Sequence, residues 1–272
     1  MTALAPSSPT EILAELAERR LTTGRNKPIT VFARGPGPDA SAVQCVIKPR
    51  NRLTQPPLEY LCEWIASQIA IELGLTTPTP YVVRIDQAFA QSVIDPDLRS
   101  DLLASVGLVF GSEYVSDDYT QYVHGLVLSP GQKAAAAHVL GFDVFTHNPD
   151  RRADNPNLFV NRNGFVLFDH EAAFSFLLPI IGAPPPATDP ALDIVSHHVF
   201  RHALGKAPDL GSFEAAVCGL TDGVLTTIAS SAPTEWTTGS AQGKLTKIME
   251  VLRDRRDAVK TWLPQLQAGV TP

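Results

Sequence analysis

Residues 158–168 can fold in few ways. LFV and FVLF are two short runs of β-forming residues, and the four residues between them are Asn161, Arg162, Asn163 and Gly164. Asn161, Asn163 and Gly164 tolerate the positive φ that a tight reversal needs, so the stretch reads as a β-hairpin. A hairpin brings its ends together. Asn157, just before the first strand, and Asp169, just after the second, must then lie close in space. The polar loop NPDRRADNP delivers Asp150 and Asn155 to the same place.

Two carboxylates and two amides converging on one point suit metal-assisted phosphoryl transfer. An Asn and an Asp offer oxygen ligands to magnesium, and a second Asp orients a hydroxyl nucleophile. The order D-x-x-x-x-N, strand pair, Asp matches the spacing of a kinase catalytic loop. The alternative is a surface turn in which Asp150, Asn155 and Asn157 hydrogen-bond their own backbone.

With 272 residues the chain can form one large domain or two lobes. A net charge of −6 and a pI near 5.6 give no general attraction to nucleic acid or to an anionic membrane, so neither is expected as a partner. The start, MTALAPSSPTE, lacks the basic and apolar regions of a signal peptide, and the longest apolar run, FSFLLPIIGA, is broken by Pro179. A soluble, cytoplasmic protein is expected. Cys45, Cys62 and Cys218 share no C-x-x-C spacing, so they read as small buried hydrophobes rather than disulfide or zinc partners.

Upstream, Thr10 can cap a helix over EILAELAERRL, although the end of that segment could equally be a strand. ITVFAR and AVQCVIK then read as strands separated by glycine turns. Lys48 sits at the end of the last one, where its ammonium can reach nucleotide phosphates, and the turn at Gly24 allows backbone to approach them. Pro56 and Pro57 open a helix that Gly74 stops. Its apolar stripe is Leu58, Leu61, Ile65, Ile69 and Leu73. Glu63 lies almost opposite and can pair with Lys48 or be solvated, and Glu59 is also eligible.

The strand VGLVFGSE ends where the chain turns from sheet-rich to helical. If two lobes make a cleft there, backbone groups around Glu113 and Tyr114 are placed to hydrogen-bond a purine. Ser129 caps the next helix, with Pro130 at its first position. PALDIVSHHVFRHALG reads as one further helix. His198 and His202 are one turn apart on it but lack the glutamate of an H-E-x-x-H site, so a metal is not expected there, nor at His138 or His147. GKLTKIMEVLRDRRDAVKTWL reads as an outer helix, and LLPIIGAPPPATDP as a covering loop.

Lys48 on a strand, Glu63 on the following helix, NPDRRADNPN and FDHEAAF together resemble the HipA-like kinase family. The resemblance implies a two-lobed α+β protein-kinase-like fold. Residues 1–23 would be a tail and first element, 24–112 a sheet-rich nucleotide-binding lobe, and 113–272 a mostly helical catalytic lobe. It further implies an ATP- and Mg2+-dependent kinase acting on a hydroxyl of an unknown acceptor, a protein Ser or Thr. Lys48 would hold the phosphates with Glu63 as its partner, Asp150 would be the catalytic aspartate, and Asp169 would bind magnesium. Asn155 fits the second metal position by distance from Asp150, and Asn157 fits it by place before the strand; the hairpin favours Asn157. The sequence departs from the wider kinase pattern at His170 and Glu171, which replace Phe-Gly, at Asn148, and in the single glycine of GRNKP. A catalytically silent kinase-like scaffold is the alternative.

Overall fold

The computed structural model describes all residues except 1–10, 23, 38, 117, 179–183 and 271–272. Five strands close into a barrel in the order β1-β2-β3-β5-β4: β1 (Glu11–Arg20), β2 (Ile29–Arg34), β3 (Ala42–Ile47), β4 (Pro80–Ile85) and β5 (Gly107–Glu113). Closure leaves no edge among these strands. Three short strands form a second sheet, β6 (Thr120–Gln121), β7 (Leu158–Asn161) and β8 (Gly164–Leu167). The fold is a mixed α+β one.

The helix expected over EILAELAERRL is instead β1; its proposed cap, Thr10, lies outside the described residues. Ile12 and Ala14 are buried while Glu11, Leu13 and Glu15 are exposed, a period of two rather than 3.6. Bulges after Ala14 and Ala17 interrupt that alternation. Glu, Ala and Leu favour helix, but antiparallel pairing with β2 and parallel pairing of Glu11–Leu13 with Val82–Arg84 override that preference.

Helix α1 (Pro56–Glu72) opens on Pro56 and Pro57, and Gly74, at φ 75°, ends it. Tyr60 and Trp64 of α1 pack on Trp236, with ring centroids 5.6 and 6.2 Å apart. The connection from α1 to β4 also grips the hairpin: Leu167 N donates to Thr76 O, and Thr77 Oγ1 donates to Leu167 O. Between β4 and β5 lie α2 (Gln87–Ser92) and α3 (Pro96–Leu103). Asp101 of α3, 1% exposed, receives Arg20, Arg52 and Asn51. Arg20 also donates to Lys27 O, which fixes the turn between β1 and β2.

Helix α4 (Pro130–Phe145) carries the expected start, a capping box in which Ser129 and Gln132 exchange hydrogen bonds. In the β7–β8 turn only Gly164 takes a positive φ; Asn161 Oδ1 instead accepts from Asn163 N. The helix expected over 190–205 is two, α5 (Leu192–His197) and α6 (Arg201–Leu204). His198 is extended between them and bridges Arg152, while Val199 N donates to Arg151 O. The remainder is α7 (Gly211–Gly219), α8 (Asp222–Ser230), α9 (Thr234–Thr237), α10 (Lys244–Asp257) and α11 (Val259–Gly269). The expected outer helix is therefore split at Ala258. Arg255 of α10, fully buried, donates to Val144 O and Asp189 O and lies over Trp262, so it is not on a solvated face.

Cys45 and Cys62 are buried as expected, but Cys218 is exposed, because it falls on the outer side of α7. No described helix is long and apolar enough to cross a membrane.

Gly111 of β5 leaves no room for a side chain: a Cβ there would lie 2.5 Å from Val83 Cγ2. Gly111→Ala is expected to cost about 1–3 kcal/mol of stability through overpacking. In denaturant titrations, combining it with Val83→Ala should cost less than the sum of the two single changes; strict additivity would show that the two positions do not collide.

Candidate functional site

Lys48 follows the last residue of β3, and Tyr60 Oη donates to its carbonyl at 2.8 Å, which ties the strand end to α1. The ammonium donates to three carboxylates: Glu63 Oε1 at 2.6 Å, Asp169 Oδ1 at 2.6 Å and Glu171 Oε2 at 2.8 Å. Of the two partners left open for Lys48, Glu63 is the one used. Glu59 caps the start of its own helix, receiving the Thr54 and Gln55 N–H groups.

Glu63 is 2% exposed, and its second oxygen accepts from His170 N at 2.8 Å. Burial drives the Glu63 carboxyl above its ordinary range, and the Lys48 charge offsets only part of that rise. Burial would likewise lower the Lys48 pKa, but the charges of Asp169, Glu63 and Glu171 hold it well above normal. Burial also acts to raise Asp169, and there Lys48 wins, leaving the carboxyl below its usual value.

The hairpin brings its ends together as its sequence requires. Leu158 pairs with Leu167, and Phe168 N donates to Asn157 O at 3.2 Å, so Asn157 stands one residue from Asp169 across the strand pair. Both take left-handed backbone, φ 49° and 60°, a conformation that Asn and Asp tolerate better than most residues. Asp150 lies on the loop before them. Its Oδ2 accepts from Asn155 Nδ2 at 2.8 Å and from Asn157 Nδ2 at 3.4 Å. Burial raises the Asp150 carboxyl, and the nearby Asp169 charge raises it further.

Four residues, Arg151, Asp143, His198 and Asn148, have a supporting role that the sequence did not reveal. Arg151, fully buried, donates to Asp143 Oδ2 at 2.6 Å and to Asn157 O at 2.6 Å. His198 Nε2 meets the same Asp143 oxygen at 3.0 Å, and Asn148 Nδ2 donates to Asp143 Oδ1 at 3.1 Å. Asn148 Oδ1 in turn accepts from Asp150 N at 3.1 Å. The loop carrying Asp150 thus hangs from one carboxylate on α4. A lone Asp in the apolar run VLGFDVF was the available signal; Arg151, in a polar loop, gave none.

Gly24 turns the chain between β1 and β2 at φ 96°. Two residues on, Asn26 Nδ2 donates to Glu171 Oε2 at 2.7 Å, so this turn reaches the Lys48 cluster. Glu113 and Tyr114 stand at the end of β5, but their N–H groups are already engaged by Thr79 O and Gln44 O. A purine could use those donors only by displacing sheet bonds. The other weighed histidines stay out of the cluster: His138 bonds Ser212, and His147 lies edge-on to Phe176.

The donor set fits a magnesium ion. Asp169 Oδ2 and the side-chain oxygens of Asn155 and Asn157 have no hydrogen-bond partner among the described residues, and all are hard oxygen donors.

A protein-family model described as HipA-like kinase matches residues 46–257, a span that includes every candidate site residue except Gly24 and Asn26. Comparison with curated proteins finds no match. Among solved structures, the chain is similar to the crystal structure of the Helicobacter pylori proinflammatory kinase CtkA. The identity is 11% and the TM-score 0.48, over 88% of this chain and 94% of that one.

The buried network is expected to make the fold acid-sensitive. Burial takes His147 from 6.5 to about 3, and it lowers His198 in spite of the bond to Asp143. Burial opposes ionisation of Asp143, but Arg151 and His198 outweigh it and hold the carboxyl below its normal value. All three groups bind protons more readily when unfolded. The two histidines' contribution is complete above their unfolded value and is lost as pH falls below about 6.5, whereas that of Asp143 is lost only below the ordinary carboxylate value of about 4. Tm should therefore drop between about pH 7.5 and pH 5, offset in part by Glu63, whose raised carboxyl takes up a proton in the folded state over the same range; a flat profile in a folded Glu63→Gln variant would contradict the buried neutral histidines. Asp143→Ala, which strands the Arg151 guanidinium, should cost about 3–5 kcal/mol at neutral pH.

Proposed function

The chain belongs to the HipA-like kinase family, and we propose that it transfers the γ-phosphoryl group of ATP to a hydroxyl of a protein Ser or Thr. The observation that carries this reading is the meeting of Lys48, Glu63 and Asp169 beside Asp150. Lys48 and Glu63 come from the barrel side, and Asp150 and Asp169 come from the two sides of the β7–β8 hairpin. In this reading the barrel and the helical remainder act as two lobes, divided near residue 112, with the cluster between them.

Each residue has a physical task. Lys48 neutralises phosphate charge, and Glu63, fixed by the His170 N–H, aims the ammonium. Asp150 accepts a hydrogen bond from the acceptor hydroxyl and orients it for attack; the Asn155 and Asn157 amides hold that carboxylate in place. Its raised pKa favours receipt of the proton as the new bond forms. Asp169, with Asn157 or Asn155, would hold a magnesium ion, and the ion would supply charge neutralisation for the phosphates. The departures at His170 and Glu171 leave this set whole. His170 is buried against Phe142 and supplies the N–H that orients Glu63.

Asp150→Asn tests the assignment. Incubated with γ-labelled ATP, magnesium and a protein extract, the wild-type chain should label an acceptor or itself. The folded variant should lose that labelling by about a hundredfold or more while its affinity for ATP changes only a few-fold. Undiminished labelling by the variant would remove Asp150 from the reaction.

A further inference from the structure

Lys48 has three N–H donors, and Glu63, Asp169 and Glu171 take all three. A phosphate oxygen arriving at that ammonium has to replace one of them. Glu63 is pinned at both ends, by Lys48 and by the His170 N–H. Asp169 has a short side chain on a left-handed residue directly at the hairpin end. Glu171 reaches Lys48 from the turn beyond, through a longer side chain with more rotatable bonds. Its other oxygen, Oε1, has no partner among the described residues.

Glu171 Oε2 is also gripped from the opposite side. Asn26, 6% exposed in the turn that Gly24 begins, donates to it at 2.7 Å. One anionic oxygen thus lies between an ammonium and an amide N–H, one from the end of β3 and one from the β1–β2 turn. A phosphate oxygen bound there would meet the same two donors.

We propose that Glu171 is an internal stand-in for a nucleotide phosphate, and that Asn26 passes its hydrogen bond to that phosphate when Glu171 swings out. The inference rests on the nucleotide reading above and deepens it: the site is held closed by its own carboxylate, and Asn26 is a phosphate-binding residue of the first turn. Glu171 also completes the partners of the Lys48 ammonium, so that buried charge is not left bare.

Calorimetric titration of ATP with magnesium into four folded proteins tests this: wild type, Glu171→Ala, Asn26→Ala and the double variant, each checked by circular dichroism. Removing the competing carboxylate should tighten ATP binding by about three- to tenfold. Asn26→Ala should weaken binding in the Glu171→Ala background, where no latch is left to break, because its contact to phosphate is lost. Binding by Glu171→Ala where wild type shows none would support the latch most strongly. Unchanged or weaker binding by Glu171→Ala beside a binding wild type would overturn the latch alone. So would indifference to Asn26→Ala in that background. No binding by any of the four overturns the nucleotide reading and the latch with it.

Discussion

One ammonium facing three carboxylates is the constraint around which this molecule is arranged. Lys48, Glu63, Asp169 and Glu171 come from a barrel strand, a helix and the far end of a hairpin, and none of those elements is near the others in sequence except the first two. Burying these charges is costly unless each finds a partner. The fold meets that demand by tying the segments that carry these residues to one another. Tyr60 grips the Lys48 carbonyl, His170 N grips Glu63, and Thr76 and Thr77 bind β8 to the chain leaving α1. An excess of negative charge remains around Lys48, and it raises the Lys48 pKa and contributes to the rise at Glu63 and Asp150.

A second buried charge pair sets the other half of the site. Asp143 receives Arg151, His198 and Asn148, and these contacts suspend the loop of Asp150 from α4. Arg151 also holds Asn157 O, which ties the loop to the start of the hairpin. The break between α5 and α6 has its cause here. His198 leaves helical geometry to reach Asp143, and the backbone beside it pairs with the loop. Catalysis by positioning requires such rigidity behind the reacting groups.

Much of this was legible because it is local. The hairpin, the proline-led start of α1, the capping box of α4 and the Asp150, Asn155, Asn157, Asp169 spacing each depend on residues a few positions apart. What escaped depends on partners far along the chain. EILAELAERR has helical composition and becomes a strand only because β2 and β4 flank it. Asn26 meets Glu171 across 145 residues, and nothing in GRNKP announces it. Of the backbone groups expected to meet a purine around Glu113 and Tyr114, the two N–H donors are already bonded to Thr79 O and Gln44 O, a matter of register that no local pattern reveals. The family match covers residues 46–257 and does not reach the first turn, where the phosphate latch is inferred from the geometry.

In the proposed function, Lys48 and Asp169 together bind a nucleotide with its metal. The most direct measurement is calorimetric titration of ATP into the wild-type chain and a folded Asp169→Asn variant, each with and without magnesium. The account predicts binding that magnesium strengthens in the wild type and a loss of that strengthening in the variant. Equal binding by both proteins, indifferent to magnesium, would contradict it.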